Sequence, residues 1–394
     1  MNRNTSAIPF FKPSIGRGEM SAVRRILKSG WLTTGAEALA FEREFADFLR
    51  GSADEKMRTL AVNSATSGLH LALEAVGVEP GDLVAVPTLT FTATAAAIRY
   101  LGADPLFIDS DEASGNMDPQ QLKKAVKHVT ASGKNIKAVI PVHLGGHPCD
   151  IHAIRDALKG SDAAIIEDAA HAFPSSTTGG MVGTLGDIGV FSFYATKTIT
   201  TGEGGMVSCR NPLYEDRMRL MRHHGIDRPV WNRYNSKAEK RPWEYDVSAP
   251  GYKYNMSDLA AAIGRVQLRR TNDLLTIRQR IAMEYSDELA NLHGLHLPDE
   301  VEGHAWHLYI IRTDDTVIRN RIADNLRKEG IGSSVHFIPL HRMSYWKKNY
   351  HLDKNDFPVA DSLAYRSLSL PLWPGLRRKE RTRIVKIVRN TLHG

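Results

Sequence analysis

The chain has 394 residues, 42% of them apolar and 24% charged, and a formal net charge of +7. That length accommodates two domains with a substantial core, and that balance excludes disordered and membrane-spanning classes. The basic residues form no single tract and no nucleic-acid-binding module, and Cys149 and Cys209 give neither a disulfide framework nor a metal-ligand spacing. The first twenty residues lack an apolar stretch followed by a small-residue cleavage site, so the expected location is the cytoplasm.

In chain order, short β-branched runs alternate with helical patterns from about residue 60 to 210. The pattern predicts strands at 83–87, 105–109, 138–143, 163–168, 189–193 and 206–209, with helices at 69–76, 93–101, 119–126 and 151–158. Strands alternating with helices imply an α/β class: a three-layer α/β/α domain around a mostly parallel sheet. After Tyr245 the character changes. One long helix is expected over 257–292 with Ser257 as its N-cap, then a strand at 306–312, a helix at 317–329 and a strand at 333–337. A closing helix carries Ile384, Val385, Ile387, Val388 and Leu392 on one stripe. The expected division is a large domain at 12–245 and a smaller α+β domain at 246–394, with residues 1–30 packing on the latter.

Chemistry concentrates in a few places. Asp168, in Glu167-Asp168-Ala169-Ala170-His171, closes an apolar strand, where ligand crevices of parallel sheets lie. Lys197 follows in Phe191-Ser192-Phe193-Tyr194-Ala195-Thr196-Lys197, ahead of the glycine-flanked turn Thr201-Gly202-Glu203-Gly204-Gly205. An acid at a strand end paired with a lysine in such a turn is how a chain holds pyridoxal phosphate: the acid keeps the pyridine nitrogen protonated, and the amine forms a Schiff base. Asn63-Ser64-Ala65-Thr66-Ser67-Gly68 runs into a helix whose N-terminus suits a phosphate, though a plain Ser/Thr N-cap reads the same way. Ser192 is a second candidate phosphate ligand, and Phe91 offers a ring for a flat cofactor or for the core. A basic stretch at 222–241, with Trp231, Tyr234 and Trp243, suits an anionic small substrate.

Together these segments resemble the DegT/DnrJ/EryC1/StrS family of sugar-nucleotide aminotransferases, pyridoxal-phosphate enzymes of the aspartate-aminotransferase fold (fold type I). The resemblance runs from Ile8-Pro9-Phe10 and Ser29-Gly30-Trp31-Leu32-Thr33-Thr34-Gly35 to Ser369-Leu370-Pro371-Leu372-Trp373-Pro374-Gly375. It implies that Lys197 is the Schiff-base lysine, that Asp168 pairs with the pyridine nitrogen, and that His171 sits beside the cofactor's phenolic oxygen. It further implies Thr66, Ser67 and Ser192 at the phosphate, Phe91 stacked on the ring, and Asn255 reaching the phosphate of the neighbouring subunit's cofactor in a homodimer. The expected reaction is ping-pong transamination from an amino acid, glutamate becoming 2-oxoglutarate, to a nucleotide-linked keto sugar, with the cofactor passing through its pyridoxamine (PMP) form. Trp31 and Thr33 resemble the branch that aminates C4; His336 and Arg233 are further substrate candidates, and lipopolysaccharide (O-antigen) or other surface-glycan synthesis is the expected setting. After His171 the sequence departs from the common pattern, with Phe173-Pro174-Ser175-Ser176 in place of a small Gly-Ala step.

Other readings compete. Dehydratases of the family carry histidine at the Schiff-base position, where this chain has Lys197. A non-catalytic homologue would have no use for an intact lysine and aspartate, and a nicotinamide enzyme would need a GxGxxG after its first strand, which is missing. No metal is expected.

Overall fold

The computed structural model describes residues 7–50, 56–227, 241 and 243–393. Its centre is a seven-stranded sheet made of β1 (Arg58–Val62), β2 (Leu83–Pro87), β3 (Asp104–Ile108), β4 (Ile136–Val139), β5 (Ala164–Asp168), β8 (Ile188–Ser192) and β9 (Gly205–Cys209). A short hairpin, β6 (Ser176–Thr177) and β7 (Gly180–Met181), lies apart from it. The strand order is β1-β9-β8-β5-β4-β2-β3. Neighbours from β3 to β8 pair in parallel, whereas β9 and β1 add antiparallel at one edge.

Both faces are covered, which is why the strands read as continuous apolar runs. Ile166, Ile188 and Val190 pack with α3 (Ala65–Ala75), α4 (Thr92–Tyr100) and α7 (Pro212–Met221). On the other face, Phe191 and Met206 meet Phe41 and Phe45 of α2 (Ala36–Arg50), while Ile165 meets α5 (Pro119–Ala131) and α6 (Ile151–Ala157). A second core surrounds a three-stranded antiparallel sheet of β10 (Leu295–His296), β11 (Tyr309–Thr313) and β12 (Ser367–Leu370). Ile8 joins that core, pairs with Ile331, and is followed by α1 (Arg17–Ser29), which packs Ala22 and Ile26 on Ala262.

Three expected elements differ. The helix over 257–292 is two, α8 (Asp258–Arg269) and α9 (Thr271–Leu289), which meet at Arg270 (φ −97°, ψ 0°), the C-cap of one and N-cap of the other, whose guanidinium binds Glu19 and Ser14. The apolar stripe continues across the break, so periodicity alone does not report it. The stretch 333–337 is no strand: only Ser334 pairs, with Ser369, before the chain turns to bring His336 and Phe337 to the large sheet. Strand β4 ends at Val139, short of the expected His143; from Val142 onward the chain is held by Asp168 and Gly146 instead. The chain continues through α10 (Thr316–Lys328), α11 (Ser344–Tyr350), α12 (Pro358–Arg366) and α13 (Arg378–His393). None of the helices among the described residues is long and apolar enough to cross a membrane.

Candidate active site

At the carboxyl ends of β5 and β8, a cavity of about 550 Å³ opens between the N-termini of α3 and α4. Asp168 and Lys197 both line it. Asp168, 5% exposed, is the last residue of β5. Its Oδ2 accepts from the Thr94 hydroxyl (2.9 Å) and its Oδ1 from the Ala170 N–H (3.1 Å). Lys197 lies in the connection from β8 to β9, whose ends are pinned together: Ser192 pairs with Gly205, and the Phe193 N–H donates to the Gly204 carbonyl. Gly205 is needed there. A Cβ would stand 2.8 Å from the Ala65 nitrogen and from the Ser64 carbonyl carbon, so only glycine lets this strand pass the N-terminus of α3.

Burial pulls the Lys197 ammonium down to about 8, against a partial restoring pull from Asp168. Burial likewise lifts the Asp168 carboxyl above its ordinary range, opposed by its two donors and by Lys197. A cation set against Asp168 would favour its charged form. His171 is pushed well below its usual range by burial and then by Lys197 and His336. Its Nδ1 accepts the Gly145 N–H at 3.3 Å, so the neutral ring carries its proton on Nε2. His336, lowered to about 4 mainly by burial, shares a 2.8 Å hydrogen bond with Ser369 through Nδ1. The cavity lining therefore brings together one amine, Lys197, two carboxylates, Asp168 and Glu203, and the neutral imidazoles of His171, His307 and His336.

Ser64 caps α3, and Ser64, Ala65 and Thr66 line the cavity. First-turn N–H groups have no acceptor within their own helix, which suits an anion. Ser192 also lines this wall, its hydroxyl accepting the Tyr194 N–H at 3.3 Å. Ser67 does not line the cavity: its hydroxyl donates into Asn63 and Ser64 within the cap, so Ser64 and Ala65 stand where Ser67 was expected. Phe91 borders the cavity, 58% exposed, with the Phe337 ring 5.9 Å away. An anion-binding turn, a flat aromatic, an amine and a buried carboxylate beneath a threonine hydroxyl fit pyridoxal phosphate.

Not every expected residue converges. Trp31 and Thr33 lie in the loop before α2, where the Thr33 carbonyl accepts from Asp258, and neither lines the cavity. Asn255 is also outside it: its Nδ2 donates to Thr34 (2.5 Å), and its buried Oδ1 has no hydrogen-bond partner among the described residues. Arg233, with Trp231 and Tyr234, lies outside the described residues. Several lining residues escaped the sequence reading as site residues, Thr94, His307 and Phe337 among them. For Thr94 a signal existed, since Thr90 and Thr94 stand one helical turn apart beside Phe91; their hydroxyls are 2.9 Å apart. The departure at 173–176 is absorbed locally. Phe173 packs on Phe45 at 4.8 Å, and Ser175 donates to the Gly146 carbonyl at 2.7 Å.

Known proteins match along nearly the whole chain. The spore coat polysaccharide biosynthesis protein SpsC of Bacillus subtilis is 40% identical over 393 residues, 98% of this chain and 97% of that one. Spr1654 of Streptococcus pneumoniae, solved in PLP and PMP forms, superposes with a TM-score of 0.87 at 30% identity, its PMP form covering 99% of both chains. The sugar aminotransferase CalS13 of Micromonospora echinospora superposes at 0.84 with 27% identity, covering 97% of this chain and 99% of its own. The family model for DegT/DnrJ/EryC1/StrS aminotransferases matches residues 13–389. Sequence, cavity and neighbours agree, and the chain belongs to the DegT/DnrJ/EryC1/StrS aminotransferase family.

Proposed function

We propose that the chain is a pyridoxal-phosphate-dependent aminotransferase that moves an amino group from L-glutamate to C4 of a nucleotide-linked 4-keto sugar, for surface polysaccharide synthesis in the cytoplasm. The observation that carries it is the meeting of Lys197 and Asp168 in one cavity beside the N-terminus of α3. The glycan setting is supported by the likeness to a spore coat polysaccharide biosynthesis protein. Bound pyridoxal phosphate supplies an electron sink for negative charge beside nitrogen. Ser64, Ala65, Thr66 and Ser192 would hold its phosphate, Phe91 one ring face, and Asp168 the proton on its ring nitrogen. Thr94 and Ala170 orient Asp168 for that task through their hydrogen bonds. Lys197 moves the proton: an amine near 8 both accepts and returns one at neutral pH. His171, neutral with its proton on Nε2, is a donor to an oxygen anion rather than a base.

The same reading makes the enzyme a homodimer in which Asn255 reaches the partner's cofactor phosphate. Its support is that Asn255 and Thr34 lie off their own cavity while Ile15, Met20, Leu27 and Leu32 leave apolar surface exposed nearby in sequence. Arg233, Trp31 and Thr33 remain substrate candidates. Incubation with glutamate and a panel of nucleotide-linked 3-keto and 4-keto sugars, read by mass spectrometry, tests the activity. The expected product is a 4-amino sugar with matching 2-oxoglutarate, absent with Lys197→Ala. Loss of a hydroxyl without gain of nitrogen would mean dehydration; no turnover with any sugar would remove the reading.

A further inference from the structure

His307 is a buried imidazole to which neither the sequence nor the proposed mechanism gives a role. It is 6% exposed, lines the cavity, and its Nδ1 has no hydrogen-bond partner among the described residues. Its ring lies 4.6 Å from that of His171 at an angle of 52°. The segment that carries it is clamped from two directions. Arg278, itself 4% exposed, donates to the carbonyls of Trp306 (3.2 Å), His307 (3.5 Å) and Leu372 (3.1 Å). On the cavity side, Ala305 and Leu308 donate their N–H groups to the carbonyls of Gly146 and Gly145, each at 3.0 Å.

Gly145 closes the circuit, because its own N–H is the donor to His171 Nδ1. One short segment, entering from the second core, thus carries the ring tilted against His171 and also holds the carbonyl of Gly145, whose N–H fixes the His171 tautomer. We propose that His307 is a positioning residue that holds the His171 ring in one plane and one tautomer, with the proton on Nε2 directed to the ligand. This rests on the reading of the cavity as a pyridoxal-phosphate site. The charged and titratable groups facing the two rings are Lys197, His336 and Arg278, and these together with burial disfavour a second proton on either imidazole.

Three measurements test it. Histidine side-chain nitrogen–proton correlation spectra of the cofactor-free chain, with the His171 signal identified by its loss in His171→Gln, should show one Nε2–H tautomer. In His307→Ala the signal should split or move toward the other tautomer, while His307→Phe, which keeps a flat ring in place, should retain it. In the loaded enzyme, His307→Ala should shift the pH at which the visible absorbance of added pyridoxal 5′-phosphate changes and lower kcat by about 10- to 100-fold with KM little changed. His307→Phe should recover most of that. In a His171→Gln background, the further effect of His307→Ala on kcat should vanish, since a residue acting through His171 has nothing left to position.

An unchanged His171 tautomer in His307→Ala overturns the proposal, as does additivity with His171→Gln. A His307→Phe variant as impaired as His307→Ala, with the loss in KM, would instead make His307 a direct substrate contact. If the wild-type chain develops no lysine-linked absorbance with pyridoxal 5′-phosphate, the cofactor reading fails, yet the tautomer comparison still decides the positioning role.

Discussion

Two groups of charges in this molecule are treated in opposite ways. Beneath the N-terminal layer, Glu42 receives the guanidinium of Arg222 (2.6 Å) and the Ala61 N–H (3.0 Å), with each ion's side chain 7% exposed. Next to it Arg265 bridges Glu37 (2.8 Å) and Glu44, and Arg25 adds a second contact to Glu37 (2.7 Å). Around the cavity, by contrast, Lys197 is left with a depressed pKa, the histidines are held neutral, and Asp168 is satisfied by neutral donors. The first arrangement spends its charges on stability. The second withholds partners so that a ligand becomes the partner, and the chain carries that strain until one binds.

The sharpest way to expose the difference is Lys197→Met. Activity should fall by orders of magnitude, while the cofactor-free chain should gain on the order of 1–3 kcal/mol at pH 7, because a desolvated ammonium is replaced by an apolar chain of similar length. The sign with pH follows. Folded Lys197 titrates near 8 and the unfolded group near 10.5, so the penalty is full below 8 and relieved as pH rises between the two values. Denaturant melts at pH 7 and pH 10 should show the gap between wild type and variant closing; a gap that stays constant would mean Lys197 is not the buried charge responsible.

Asp168→Asn comes next in size, with kcat expected to drop by roughly 10²- to 10⁴-fold at near-normal folding stability, since an amide retains the Thr94 contact but cannot support a positive ring nitrogen. Single-turnover kinetics beside a thermal melt separates the two effects. The paired region should respond the other way round. Glu42→Gln should destabilise by roughly 3 kcal/mol, leaving Arg222 buried without its counter-ion, yet alter kcat of the folded fraction little. Smallest is Asp258→Ala. The Asp258 carboxylate accepts from Gly35 (2.7 Å) and Ala38 (3.0 Å) and so caps α2 from a different helix; its removal should lower stability by about 1–2 kcal/mol in a denaturant titration.

How much of this was readable beforehand depends on range. Strands buried on both faces, such as β2 and β5, announce themselves because burial forces continuous apolar runs. The edge strand β1, Arg-Thr-Leu-Ala-Val, escaped because its pairing is antiparallel and fixed by β9, far along the chain. In the site, Lys197, Asp168, His171, Ser192, Thr66, Phe91 and His336 all line one cavity as the motifs suggested. Ser67 did not, because a serine that caps its own helix and one that faces a ligand look alike in sequence. His307 was invisible for a plainer reason: its meaning depends on Gly145 and Arg278, contacts that only the tertiary fold creates.

The pinning of the lysine connection has a consequence for how this chain can change over generations. Its two ends, Ser192 and Gly205, face each other across one rung of the ladder, and Thr201 also donates its N–H back to the Phe193 carbonyl. A segment closed at both ends by paired backbone has no slack to absorb length. A residue added or lost within 193–204 would have to re-aim the lysine or slip the register of β9, whose glycine passes the N-terminus of α3 with no room to move. The turn at 178–179, held by the two-residue strands β6 and β7 and by local bonds of the Thr177 hydroxyl, positions no cavity residue and can lengthen at less cost. Substitutions can therefore explore the walls of this cavity, but insertions and deletions should be confined to places like that turn.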